Sequence, residues 1–572
     1  MPAMPEHAPD RPRGVPPELT GRALATGLAV GVLLAVGNLY MGLKTGWWDT
    51  GHVTATLLGA GVAAAAARRA GPFGELEHNV VQTAATSVGA APATFGLLGA
   101  VPALALLGIE PPTWAVVALG LAVAVLGILW ALALRRRLLE EEGLPFPTGV
   151  ATAQVIRALH AGAGATARTV ALAVAGVAAA GVTLLRDVAR VLPAATPLPG
   201  SLAGAPASAY TLGIGWNPML LGAGMMVGPR NGLSVLLGGI VAWAVLGPAL
   251  VRSGVVPSPG YEALVTWLAW PGVGLVLGGA LVSILGQRRA FLGALRDLRH
   301  AGRSAGPRAR GAVALGLAAA VLAVLAAVLG FGLGIGQAAF ALGLAFLLAA
   351  VCARAAGQTD ILPAGEMGQV VQVSLGAGVG PAANVAGGAL AAGKSAQAGV
   401  ALWSLRAGQI LGASPTLQAR AMLAGALLGA AVSLPAYHFL VRAHGVGTAA
   451  LPAPMAVPWK AVAELVTGGG SGLPAGALAA AALGFAAGVA LEALGGRLRF
   501  LPTPGALGMG FLAPAQYAAT LCAGALLGAA WRRRAPVSAE AIGPSAAAGA
   551  IAGESIAGAA AAAATAAGLL GS

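Results

Sequence analysis

From Gly21 onward the chain is a succession of apolar runs, each near the length of a membrane-crossing helix, parted by short polar breaks. A bilayer core takes about 20 helical residues to cross. No water is available there for stray backbone groups, so such a chain folds as helices or as a closed barrel. The runs fall at 21–43, 47–67, 79–108, 112–134, 167–186, 208–228, 232–251 and 263–285, then at 312–330, 333–353, 382–411, 418–440, 473–492, 515–531 and 541–570. Alternating ten-residue strands are absent, and an aromatic content of 5% is low for the girdles of a barrel. Only 9% of residues are charged, too few to cover a surface in water, where about a quarter is usual. Mean hydropathy is +0.82. The expected fold class is an all-α integral membrane protein of about 16 transmembrane helices.

The net charge of +14 sits mostly in the breaks, at Arg68 and Arg69, Arg135 to Arg137 and Arg532 to Arg534. That is the placement the positive-inside rule requires, not the footprint of a nucleic-acid partner. The densest basic stretch, 286–310, reads as an Arg-rich cytoplasmic linker between two membrane halves, 21–285 and 311–572. Residues 1–20 read as a polar cytoplasmic tail with no cleavable signal, and the protein is expected in the plasma (inner) membrane as a multi-pass chain. Cys352 and Cys522 are isolated and suggest neither a metal site nor a disulfide.

The two halves share landmarks in the same order. Leu-Gly-Ala-Gly-Val occupies 58–62 and 375–379, Asn-Val follows at Asn79 and Asn384, and Pro-x-x-Leu-Gly-x-Gly begins at Pro218 and Pro504. Secondary transporters are commonly built from such repeats, with substrate held where the halves meet. Four apolar pieces, 147–160, 366–380, 456–468 and 503–513, are too short or too interrupted to span comfortably. Short or re-entrant helices at matching places in two halves are the best sequence pointer to a binding site.

Several motifs follow one another through these runs: Asn38-Leu-Tyr-Met-Gly-Leu-Lys-Thr-Gly-Trp47, Glu77-His-Asn-Val-Val-Gln-Thr83 and Leu144-Pro-Phe-Pro-Thr-Gly149. Later come Gly357-Gln-Thr-Asp360, Arg406-Ala-Gly-Gln-Ile-Leu-Gly-Ala-Ser-Pro415 and Gly553-Glu-Ser555. In this order they resemble the oligopeptide transporter superfamily, in a bacterial-type form, over about residues 20 to 565. That superfamily includes peptide transporters and yellow-stripe-like transporters of metal chelates. The resemblance implies a proton-coupled importer. The chain departs from the family pattern at His78, Gln358 and Arg406, where Asn, Glu and Lys are usual. The lost carboxylate at Gln358 removes one candidate proton carrier.

An ionisable group at membrane depth is a functional candidate by default. Lys44, one of three lysines, either binds a substrate carboxylate beside Tyr40 or snorkels at a helix end. Lys394 is a second candidate cation. Asn79, Gln82, Thr83 and Thr86 share one helix face. That stripe lines a cavity for peptide amides or bonds to neighbouring helices. Glu77 carries the coupled proton or caps a helix N-terminus. Glu554 lies in the last apolar run with no basic residue close in sequence, and is the second proton-coupling candidate. Gln369 and Gln372 follow Glu366 at helical spacing beside a broken segment, Asn384 is the repeat equivalent of Asn79, and Asn217 precedes the break at Pro218. His52, His78 and His438 read as structural hydrogen-bonders.

No phosphate-binding Gly-x-x-x-x-Gly-Lys-Ser/Thr loop occurs, which argues against direct use of ATP. Nor is there a His-Glu-x-x-His or Gly-x-Ser-x-Gly, so an enzyme is not expected. The expected partners are a small peptide or chelate substrate, protons and the lipid bilayer, with no cofactor and no bound metal. A homodimer is the commonest closed assembly.

Overall fold

The computed structural model describes residues 17–160, 165–286, 309–360, 362–468, 473–495, 497–498 and 500–566. Most of the Arg-rich linker, and residues 1–16 of the tail, lie outside the described residues. The first half contributes α1 (Gly21–Thr45), α2 (His52–Ala70), α3 (Glu75–Gly89), α4 (Ala91–Thr94), α5 (Ala100–Leu106), α6 (Thr113–Arg135), α7 (Pro147–His160) and α8 (Ala165–Thr183). After a small β excursion come α9 (Pro218–Val227), α10 (Pro229–Gly239), α11 (Gly247–Arg252) and α12 (Tyr261–Gly286). The second half opens with α13 (Ala309–Phe331), α14 (Ile335–Thr359), α15 (Ala364–Leu375), α16 (Pro381–Leu411) and α17 (Pro415–His444). It closes with α18 (Ala456–Gly468), α19 (Ala477–Gly495), α20 (Pro504–Leu512), α21 (Ala515–Arg534) and α22 (Pro536–Ala566).

This is an all-α multi-pass membrane protein. Among the described residues nine helices are long and apolar enough to cross a membrane by themselves. The expectation of about 16 counted further helices that fail on length or on polarity. α16 has 31 residues but buries Asn384, Lys394, Gln397 and Ser404, while α9 has only 10.

Two expected spans are not continuous. The run 79–108 breaks after Gly89 into α3, α4 and α5, because Pro92 lacks a backbone donor and Gly96 takes a left-handed turn at φ 72°. The run 208–228 is α-helical only from Pro218. Before it, Ala195–Pro197 pairs antiparallel with Gly213–Gly215, and Ser201–Leu202 with Ala205–Pro206. Glycine and proline make that stretch a poor helix. The four short segments do form short helices, α7, α15, α18 and α20.

Matching helices make matching contacts. α1 packs on α3 as α14 packs on α16, and α6 meets α16 as α17 meets α3. α8 lies along α22 as α19 lies along α12, and α9 touches α21 as α20 touches α10. Many of the closest pairings therefore cross between the halves. Glycines permit the approach. Side chains at Gly274 and Gly278 of α12 would overlap the carbonyl oxygens of Ala481 and Phe485. Gly484 and Gly488 of α19 stand in the same relation to Pro271 and Leu275. Gly549 and Gly553 of α22 likewise face Leu172 and Gly176 of α8. In lipid there is no hydrophobic drive between helices, so small residues spaced by four supply close van der Waals packing instead.

Candidate functional site

Four of the predicted residues converge with two that the sequence reading passed over. α8 ends in a π-helical turn, Leu184–Val188, which carries Arg186 and Asp187. Such turns recur at functional sites. Arg186 Nη1 donates to Glu554 Oε1 at 2.9 Å and to the Trp216 carbonyl at 2.5 Å. Its Nε and Nη2 grip Asp187 at 2.6 and 2.7 Å. Asn217 Nδ2 also donates to Glu554 Oε1, at 3.0 Å. The Met219 backbone N–H reaches Oε2 at 2.8 Å. Met219 lies in the first turn of α9, where free N–H groups and the helix dipole favour an anion. Lys44 Nζ donates to the Tyr40 hydroxyl at 2.7 Å, within electrostatic range of Asp187 and His444. Tyr40 in turn feels Glu554 and Arg186. Lys44 is thus buried beside charges rather than snorkelling. An Arg-Asp pair closing an apolar run was the available signal, since a lone Glu554 at membrane depth demands a cation.

The polar stripe of α3 is fully buried, with Asn79, Gln82, Thr83 and Thr86 packed among neighbouring helices. Gln82 Nε2 donates to Asn79 Oδ1 and Thr83 Oγ1, both at 3.0 Å. Gln418 Nε2 on α17 donates to Thr83 Oγ1 at 3.2 Å, and Thr86 Oγ1 meets Ser404 Oγ on α16 at 3.3 Å. His52 Nε2 joins Ser404 at 3.1 Å. These side chains are buried between helices, and their hydrogen bonds hold α3 to α16 and α17.

Glu77 caps α3. Its carboxylate accepts from Thr20 Oγ1 at 2.6 Å, from the Gly74 N–H at 3.0 Å and from Arg22 at 2.8 and 2.7 Å. Every oxygen is committed to tying α1 to α3, which suits a structural acid better than a proton carrier. Its neighbour His78 packs edge-on against His160, ring centroids 4.8 Å apart.

Gln372 Nε2 donates to Asn384 Oδ1 at 2.9 Å and to the Trp459 carbonyl at 3.2 Å, and Asn384 Nδ2 answers to the Gln372 carbonyl at 2.8 Å. These residues bind α15 to α16 and α18. Gln369 is buried nearby with Oε1 unbonded among the described residues. Lys394 is fully buried with its ammonium against the Trp130 and Phe346 rings, 4.7 Å from the Trp130 centroid, and without a hydrogen-bond partner among the described residues.

A cavity of about 390 Å³ has none of the ten predicted substrate-binding residues among its described lining residues. Its walls come from both sequence halves: residues 46–48, 50, 93, 96 and 98–100 of the first, and 360, 362, 364–366, 389, 392, 393, 396, 403, 455 and 459 of the second. Trp47, Trp48, Trp403 and Trp459 supply aromatic side chains, and Asp360 and Glu366 supply carboxyl groups. Lys44 precedes Gly46 of this wall by two residues, and Gln372 bonds to wall residue Trp459, so the predictions border the cavity without entering it. The sequence reading took polar side chains for the lining. The observed lining is mostly small and aromatic, as ligand pockets usually are.

Residues 18–565 match the family described as OPT oligopeptide transporter protein. A Haemophilus influenzae protein named "Putative oligopeptide transporter" is 30% identical over 220 residues, 38% of this chain and 32% of that relative. A Saccharomyces cerevisiae protein of the same description is 30% identical over 159 residues, 25% of this chain and 22% of that relative. The matched stretches therefore span a third or less of those relatives' lengths. With a family match over nearly its whole length and a polytopic helical fold, this chain belongs to the oligopeptide transporter (OPT) family.

Proposed function

We propose that this protein is a secondary transporter that imports small oligopeptides across the plasma membrane in symport with protons. Membership of a transporter family supplies the class of activity. The observations that support the finer reading are the cavity of about 390 Å³, lined by residues of both sequence halves, and, separately, the buried network of Glu554, Arg186, Asp187 and Asn217. The volume lies within the range of small-molecule sites. Binding where two halves meet suits alternating access, in which one part rocks against the other around the site. Glu554 is the coupling group of this reading. Protonation would release Arg186 and Asn217 from it, loosening contacts among α8, α9 and α22.

Uptake into proteoliposomes tests this. Trialanine should accumulate when an inward proton gradient is imposed and cease to do so with a protonophore. Glu554→Gln should abolish accumulation while preserving trialanine exchange, which needs no net proton movement. Accumulation by that variant would remove Glu554 from coupling. Uptake of a metal chelate with no uptake of any tripeptide would favour chelate import instead.

A further inference from the structure

We propose that the cavity selects substrates by a free ammonium group, received by the Glu366 carboxylate among tryptophan side chains, and disfavours polyanionic chelates. This deepens the peptide-import reading and rests on it for the place where substrate binds. Glu366 stands in the first turn of α15 and lines the cavity. Its hydrogen bond is to its own backbone N–H, and it has no ion-pair partner among the described residues. The other wall carboxylate is occupied: Asp360 accepts from the Thr148 N–H at 3.1 Å and from Thr148 Oγ1 at 2.7 Å. Glu366 is therefore the acceptor left open.

No Lys, Arg or His is among the described residues that line this space. Lys394 follows wall residue Gly393, but its ammonium is turned against the Trp130 and Phe346 rings. A carboxylate between apolar walls is poorly solvated, and an arriving ammonium supplies charge-assisted hydrogen bonds in compensation. Tryptophan faces add cation–π attraction, strongest where water is excluded. A chelate wrapped in several carboxylates would meet two like charges and no cation. In a low-dielectric space that repulsion is far larger than in water.

Equilibrium binding to the full chain in nanodiscs tests the proposal, with three probes: trialanine, N-acetyl-trialanine and nickel citrate. Loss of a charge-assisted bond is worth roughly tenfold or more, so acetylation should weaken wild-type binding by at least that factor. Glu366→Gln should bind both peptides alike, and Glu366→Asp should restore part of the preference. Equal binding of the two peptides by the wild type, or an undiminished preference in Glu366→Gln, overturns the proposal while leaving peptide import standing. Nickel citrate binding without either peptide overturns both. Tryptophan fluorescence reads the same charge with no substrate present: caesium should quench the wild type more than Glu366→Gln. Equal caesium quenching in the two proteins would also overturn it.

Discussion

Arg186 and Glu554, 368 residues apart in the chain, meet at 2.9 Å with only 2% and 0% of their side chains exposed. Burying such a pair is expensive, and its attraction alone repays the desolvation only when further bonds complete the geometry. Asn217, the Met219 N–H, Asp187 and the Trp216 carbonyl provide them. The two partners are not equivalent. Arg186→Leu strands Glu554 with no cation and should destabilise the protein by about 3–5 kcal/mol. Glu554→Gln leaves Arg186 with Asp187 and should cost less. Thermal unfolding in detergent orders the two variants, and a larger loss in Glu554→Gln would contradict the assignment.

Lys44 donates a hydrogen bond to the Tyr40 hydroxyl and lies outside the cavity wall. Lys44→Ala should therefore leave trialanine affinity within about twofold and instead alter how uptake depends on pH, through the charges it shares with Asp187 and His444. A weakening of about tenfold, the size of a lost charge-assisted bond, would place Lys44 on the substrate.

The glycine seam between α12 and α19 leaves no room for a side chain. Gly488→Leu forces the helices apart and should destabilise by roughly 1–3 kcal/mol or more, as overpacking does. Gly343→Ala is the control, since nothing lies within 4 Å of a Cβ there. Alanine favours a helix more than glycine does, so a comparable fall in melting temperature for Gly343→Ala would contradict the packing account of the seam.

At the end of α6, outside the spans, Glu142 accepts from Arg354 Nη2 at 2.7 Å and from Arg137 Nε at 3.0 Å, and Arg354 Nη1 reaches its second oxygen. Partial burial raises this carboxyl, but the bonds from Arg354 and Arg137 outweigh it and hold Glu142 below its ordinary value. A depressed carboxylate stabilises the folded state above its unfolded pKa, and the benefit is lost as pH falls through the folded one. The stability gap between wild type and Glu142→Gln should thus be constant near neutrality and close on strong acidification. A gap that widens in acid would reverse the sign.

Parts of this architecture are written locally. Pro218 and Pro504 each open a short helix because proline fits a first turn and cannot continue a previous one. Segments 147–160 and 456–468 appear as α7 and α18 with those bounds. Their caps, prolines and apolar lengths are properties of neighbouring residues. The pentapeptide Leu-Gly-Ala-Gly-Val shows the limit: at 58–62 it lies inside α2, whereas at 375–379 it ends α15, with Gly376 at φ 68°. Identical residues take either form because their surroundings decide.

The sequence by itself determined that this chain lives in a membrane as a set of helices, several of them broken, since apolar length, scarce charge and proline placement act over a few turns. It also put Asn79, Gln82 and Thr83 on one face. Only the tertiary structure decided what that face meets, which was α16 and α17. It likewise chose Arg186 as the partner of Glu554 and assembled the tryptophan-lined space around Glu366 from segments hundreds of residues apart. A helical pattern states where a side chain points about its own axis. Which neighbour stands there depends on how every helix packs, and no local spacing encodes that.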